Sequence, residues 1–157
     1  DYIKSKHFAN PIVASPDIGG VARARYFADK LGLDLVIVDK KRERANQSEV
    51  MNIIGDVKDK DVILVDDMID TAGTMCKAAD VLKERGAHSV MALGTHPVLS
   101  GPAYERIEKS ALDEVIVSNS IPLQKQNKKI KVLNVVPLFA EVIRRIQHSE
   151  SVNSLFI

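Results

Sequence analysis

Short apolar runs separated by amphipathic stretches set the pattern of this chain. Ile12–Ser15, Leu35–Val38, Met51–Ile54, Val62–Val65, Ser89–Gly94, Glu114–Ser118 and Ile130–Val135 read as strands. Several are apolar at consecutive rather than alternate positions, the mark of strands covered on both faces. Between the first two, Val21, Ala24, Ala28 and Leu31 recur at helical spacing, with Arg23, Arg25, Asp29 and Lys30 on other faces. Met75, Ala78, Ala79 and Leu82 mark a second helix that closes at Gly86. A short helix is expected over Pro102–Lys109, and Pro137 suits the first turn of a last one, with Leu138, Val142 and Ile146 on its inner face. Strands alternating with helices predict an α/β domain with a mainly parallel open sheet flanked by helices.

The most informative stretch is Val62–Thr74, VILVDDMIDTAGT. Its β-branched run predicts a buried strand that ends at Val65 in an acidic turn and leads into a helix. Ligands of open α/β sheets bind outside the carboxyl ends of such strands. Backbone N–H groups of residues 71–74, the following helix and the hydroxyls of Thr71 and Thr74 can hold a phosphate. Ala72 is small, and Gly73 lets the backbone come close to the anion. Asp66 and Asp67 accept hydrogen bonds only, so they suit vicinal hydroxyls or a metal ion. A ribose 5-phosphate carries both features. The plain alternative is an acidic turn with a good helix cap.

Two further strand ends carry chemistry. Ser15-Pro16-Asp17-Ile18-Gly19-Gly20 forms a turn that either admits a diphosphate or reverses the chain, and Asp17 lies where a metal-bound diphosphate could reach it. Asp39–Asn46 holds four cations within five residues and lacks apolar spacing, which predicts a mobile loop. Such a loop can close over a polyphosphate and neutralise developing charge. His96, before Pro97, reads as a structural histidine, and Cys76 as a packing thiol.

VDDMIDTAGT closely resembles the ribose 5-phosphate loop of the type I phosphoribosyltransferase fold, in the form found in the ribose-phosphate pyrophosphokinase family. SPDIGG, the Lys40–Arg42 run and the SVxxLF-like tail resemble that family in the same order. The resemblance implies diphosphoryl transfer from ATP to the 1-hydroxyl of ribose 5-phosphate, giving phosphoribosyl diphosphate and AMP, with Mg2+ as cofactor. It makes Asp17 a metal ligand, Lys40 and Arg42 catalytic, and Arg42, Asp66, Asp67, Asp70, Thr71, Ala72, Gly73 and Thr74 the sugar-phosphate site. Lys41 and Glu43 depart from the arginine and proline more often found in that loop. The resemblance also implies a homo-oligomer (a hexamer in the family), with the tail at a subunit interface near a regulatory nucleotide site. The family's adenine site and a metal-binding histidine lie in an N-terminal half that nothing here resembles. The chain is therefore expected to be the C-terminal half of a longer enzyme and inactive alone. A phosphoribosyltransferase and a non-catalytic, synthetase-associated subunit are the rival readings.

Composition narrows the setting. The 157 residues suit one domain, and 45% hydrophobic with 27% charged residues is ordinary for a globular chain. A net charge of +1 argues against a general nucleic-acid or membrane role. No apolar run is long enough to span a bilayer. The single cysteine excludes an internal disulfide and fits a reducing cytoplasm.

Overall fold

The computed structural model describes residues 2–41 and 50–156, with residues 40, 41 and 50 described by their backbone alone. In chain order the elements are α1 (Tyr2–Ser5), β1 (Pro11–Ser15), α2 (Val21–Leu31), β2 (Leu35–Lys41), β3 (Val50–Ile54) and β4 (Asp61–Ile69). They continue with α3 (Gly73–Glu84), β5 (Ser89–Pro97), α4 (Ala103–Lys109), β6 (Glu114–Ser118), β7 (Ile130–Leu133) and α5 (Val136–Gln147), and a 3-10 turn spans Asn153–Leu155. The strands form one sheet in the order β3-β2-β1-β4-β5-β6-β7. Every pairing is parallel except that of β2 with β3.

Consecutive apolar residues in the strands feed two different cores, because neighbouring side chains leave a strand on opposite faces. Ile12, Ala14, Val62, Leu64, Val90, Ala92, Val115 and Val117 point to the face covered by α3 and α4. Val13, Ile63, Val65, Met91 and Ile116 point to the face where Ala24 and Ala28 of α2 pack. The helical spacing of Met75, Ala78, Ala79 and Leu82 puts all four on the buried side of α3. Burying a leucine as completely as Leu82 contributes about 1.5–3 kcal/mol.

Pairing carries β4, with β5 beside it, further than their apolar runs, and does the same for β2. β4 does not stop at Val65: it continues beside β5, with Asp66 opposite Gly94, Met68 opposite His96 and Ile69 opposite Pro97. Asp66 and Asp67 therefore belong to a strand end, and the turn begins only at Asp70. Likewise β2 runs through Asp39, Lys40 and Lys41, which face Asn52, Met51 and Val50 of β3. The loop expected over Asp39–Asn46 thus loses its first three residues to a strand, and Arg42 to Asn46 lie outside the described residues. In both cases a partner strand supplies backbone hydrogen bonds that a propensity reading cannot anticipate.

α5 also departs from expectation. Leu138 and Ile146, expected on an inner face, are 39% and 65% exposed, and no residue of α5 is buried. The periodicity makes an apolar face, but among the described residues nothing covers it. No helix among the described residues is long and apolar enough to cross a membrane.

Candidate sugar-phosphate site

β1 and β4 lie side by side, and from them the chain winds outward in opposite directions, to β2 on one side and β5 on the other. The carboxyl edge at such a reversal is where open α/β sheets bind ligands. Asp17 follows β1 and Asp66–Thr74 closes β4, so two of the three predicted sites meet at this switch. Lys40 reaches the same edge as a residue of β2, one strand away.

The loop after β4 is built to present its backbone. Ala72 has φ 57, a left-handed conformation costly for a residue with a Cβ, and it is only 5% exposed. Its carbonyl accepts the Cys76 amide at 3.0 Å, the first bond of α3. The N-cap residue is an alanine and, among the described residues, no side chain caps this helix, so the cap expected as the plain alternative is not made. The first-turn amides are therefore left for an outside acceptor. Thr71 and Thr74 are both exposed beside them. A hollow of about 160 Å³ runs along Asp66 and Met68–Met75. A larger cavity of about 570 Å³ lies behind the loop, between α3 and α4, but does not include the aspartates. The smaller one alone takes in both the loop amides and an aspartate of the pair.

Neighbouring side chains brace the loop. The Asp70 carboxylate accepts a hydrogen bond from the Ser100 hydroxyl, and Arg106 Nη1 donates to the Thr71 carbonyl at 3.0 Å. A Cβ on Gly73 would lie 3.2 Å from that same Arg106 nitrogen, so the glycine makes room for the brace. Asp70 is thus a loop anchor in this structure.

Asp66 and Asp67 share one cation. Arg23 Nη1 donates to Asp66 Oδ1 at 2.5 Å, and Arg23 Nη2 contacts Asp67 Oδ2 at 2.9 Å. The amides of Asp67 and Met68 donate to Asp66 Oδ1 and Asp67 Oδ1. Burial pushes the Asp66 carboxyl above its ordinary range, against the Asp67 amide, and the neighbouring carboxyl adds to the rise. At Asp67 burial pushes the same way, but the hydrogen bond with Asp66 and the Arg23 charge outweigh it and hold the carboxyl low. Two adjacent carboxyls divide in this way into one that ionises easily and one that resists, with the cation favouring both ionised forms.

Asp17 is partly committed. Its Oδ1 accepts the Gly20 amide at 2.9 Å, and its backbone carbonyl accepts the Ser15 hydroxyl at 2.6 Å. Among the described residues the other carboxylate oxygen has no protein donor. Among the described residues no cluster of three or more ligating side chains could hold a metal ion. A magnesium ion is usually held by one or two carboxylates with phosphates and water completing its shell, and one spare carboxylate oxygen is compatible with that. His96 Nδ1 lies 2.9 Å from the Ser120 hydroxyl, in keeping with a structural role. Cys76 is buried, and burial pushes its thiol up, as expected of a packing residue. Arg23, Ser100 and Arg106 escaped the sequence reading. Only Arg23 had a signal there, as a cation one turn into the helix after the Asp17 turn.

Comparison with known proteins adds to this geometry. The family described as phosphoribosyl synthetase-associated domain matches residues 42–157. The ribose-phosphate pyrophosphokinase of Helicobacter hepaticus is 82% identical over 156 residues, which cover 99% of this chain and 50% of that protein. The crystal structure of phosphoribosylpyrophosphate synthetase from Mycobacterium smegmatis aligns with a TM-score of 0.82 at 39% identity, over 89% of this chain and 46% of that one. APRTase from Giardia lamblia, complexed with 9-deazaadenine, aligns with a TM-score of 0.58 at 13% identity, over 85% and 72%, a likeness of fold alone. The chain spans about half the length of the relatives it matches.

Proposed function

The chain belongs to the phosphoribosyl synthetase-associated family of ribose-phosphate pyrophosphokinases, and from that premise we propose that it supplies the ribose 5-phosphate site of a ribose-phosphate diphosphokinase. The observation that carries the reading is the helix α3, uncapped by any side chain among the described residues and preceded by the Asp66–Asp67 pair at the switch of the sheet. An anion at the helix and a diol at the carboxylates describe the two ends of one sugar phosphate.

In this reading the amides of Gly73 to Met75 and the hydroxyls of Thr71 and Thr74 bind the 5-phosphate, while Asp66 and Asp67 accept hydrogen bonds from the ribose hydroxyls. Held so, the sugar can direct its 1-hydroxyl along the carboxyl edge toward β1 and β2. The 1-oxygen attacks the β-phosphorus of ATP, the bond from that phosphorus to the bridging oxygen breaks, and AMP leaves with the electron pair. The hydroxyl proton is lost to solvent. Lys40 and Arg42 serve as the cations that stabilise charge developing on the transferring group. Mg2+, with Asp17 as its candidate ligand in this chain, supplies further charge neutralisation on the phosphates when bound. The exposed apolar face of α5 supports assembly into a homo-oligomer.

On the same reading the chain is one half of a full-length synthetase, which its match to about half the length of its relatives supports, and AMP formation from ATP by that synthetase tests the reading. It should require ribose 5-phosphate and yield phosphoribosyl diphosphate. Transfer of a labelled nucleobase to phosphoribosyl diphosphate, with no ATP-dependent reaction, would overturn it in favour of a phosphoribosyltransferase.

A further inference from the structure

We propose that Arg23 is a positioning residue for sugar recognition: its guanidinium fork ties Asp66 and Asp67 together and aims them as a pair of acceptors at the ribose diol. The proposal rests on the functional reading above and adds a residue to it from a different element, the helix that follows the Asp17 turn.

The geometry is specific. One nitrogen of the fork takes Asp66 Oδ1 and another takes Asp67 Oδ2, at 2.5 and 2.9 Å. Backbone amides occupy Asp66 Oδ1 a second time and Asp67 Oδ1 once. Among the described residues, Asp66 Oδ2 is then the one oxygen of the four with no protein donor, which makes it the first acceptor open to a hydroxyl. Neighbours along a strand send their side chains to opposite faces, so a common partner helps to hold the Asp66 and Asp67 carboxyls side by side. Arg23 supplies that partner, and a planar fork is better suited to two carboxylates than a point charge is.

The surroundings favour positioning over mere surface pairing. Arg23 and Asp66 are about one-third and one-quarter exposed, so the contact lies partly out of water. A Cβ on Gly20 would fall 2.9 Å from Ser15 Oγ and 3.8 Å from Arg23 Nη1, so the guanidinium stands beside the Asp17 turn as well. One side chain thus links α2, the helix after the β1 turn, to the end of β4. The proposed 5-phosphate loop, by contrast, takes its polar braces from Arg106 and Ser100, whereas the ion pairs of Arg23 go to Asp66 and Asp67.

That division provides the test. Ribose 5-phosphate and inorganic phosphate are titrated calorimetrically into the chain and into Arg23→Met and Arg23→Lys. Arg23→Met should weaken ribose 5-phosphate binding by about 10- to 100-fold, the scale of losing hydrogen bonds to charged groups. Inorganic phosphate should bind it as it binds wild type, and Arg23→Lys should recover part of the loss. In the full-length synthetase Arg23→Met should raise KM for ribose 5-phosphate more than it lowers kcat. Unchanged ribose 5-phosphate binding by Arg23→Met, or equal losses for both ligands, would overturn the proposal. If wild type itself bound no ribose 5-phosphate, the functional reading would fall and the proposal with it.

Discussion

Ile69, at the end of β4, fills the space that a side chain on Gly94 of β5 would need: a Cβ built there falls 2.6 Å from Ile69 Cγ1 and 2.9 Å from Cδ1. The glycine lets β4 stay paired with β5 through Ile69, which in turn sets where the loop at Asp70 begins. Gly94→Ala should therefore destabilise the fold by about 1–3 kcal/mol, the usual penalty for overpacking a core. Denaturant unfolding measures this, and a midpoint equal to wild type would mean that Ile69 relaxes freely.

Asp61 anchors the opposite end of β4. It is 6% exposed and accepts the Ala9 amide at 3.0 Å, the Asn10 amide at 3.4 Å and the Ser89 hydroxyl at 2.5 Å. Burial opposes its ionisation, but the Ser89 hydroxyl and then the two amides outweigh burial and hold the carboxyl below its ordinary value. A group depressed on folding stabilises the protein above its unfolded pKa, and the contribution is lost as pH falls through the folded value. Asp61→Asn should cost about 1–3 kcal/mol at neutral pH, a difference that narrows below about pH 4. A cost that stays constant across that range would contradict the assignment.

Lys40 should separate transition-state from ground-state effects. Its proposed target is charge that develops only during transfer, whereas Asp66, Asp67 and the loop amides are the proposed partners of the sugar phosphate from the outset. Removing an interaction made mainly in the transition state lowers kcat. In the full-length synthetase, Lys40→Ala should reduce kcat by about 10²-fold, with a far smaller change in KM for ribose 5-phosphate. Steady-state kinetics with a near-wild-type kcat would return the cationic run to a solvated surface role.

The uncovered face of α5 gives a different kind of prediction. Phe139 and Ile143 are 57% and 66% exposed and contribute little to the core. Phe139→Ser should change the stability of the chain by no more than about 0.5 kcal/mol, yet shift the full-length synthetase toward smaller species in sedimentation. An unchanged assembly would show that this face does not join subunits.

Sequence periodicity revealed the α/β class and both faces of the core, because each apolar residue of Val62–Val65 declares itself locally. The extension of β4 to Ile69 was hidden: Asp66, Asp67 and Met68 have no strand pattern, and only pairing with Gly94–Pro97 makes them a strand. The same holds for Asp39–Lys41 against β3. The site loop was legible as a motif, since its aspartates and threonines lie within a dozen residues. In the sequence Arg23 is one more polar residue on α2, because its partners lie 43 and 44 positions away in the chain. The periodicity of α5 marks an apolar face but not its outward position, since periodicity fixes which residues share a face and not what covers it.

On the proposed function, Asp66 and Asp67 at the end of β4 and the loop that follows together hold both ends of a ribose 5-phosphate. Titrating that ligand into the 15N-labelled chain and following every backbone amide tests it most directly. Saturable shifts should be largest at Asp66, Asp67 and Thr71–Met75, and inorganic phosphate should reproduce them at Thr71–Met75 but not at the aspartates. Saturable shifts confined to other parts of the chain, or none at millimolar ligand (the weak end of ordinary affinities, about 1 mM), would contradict the account.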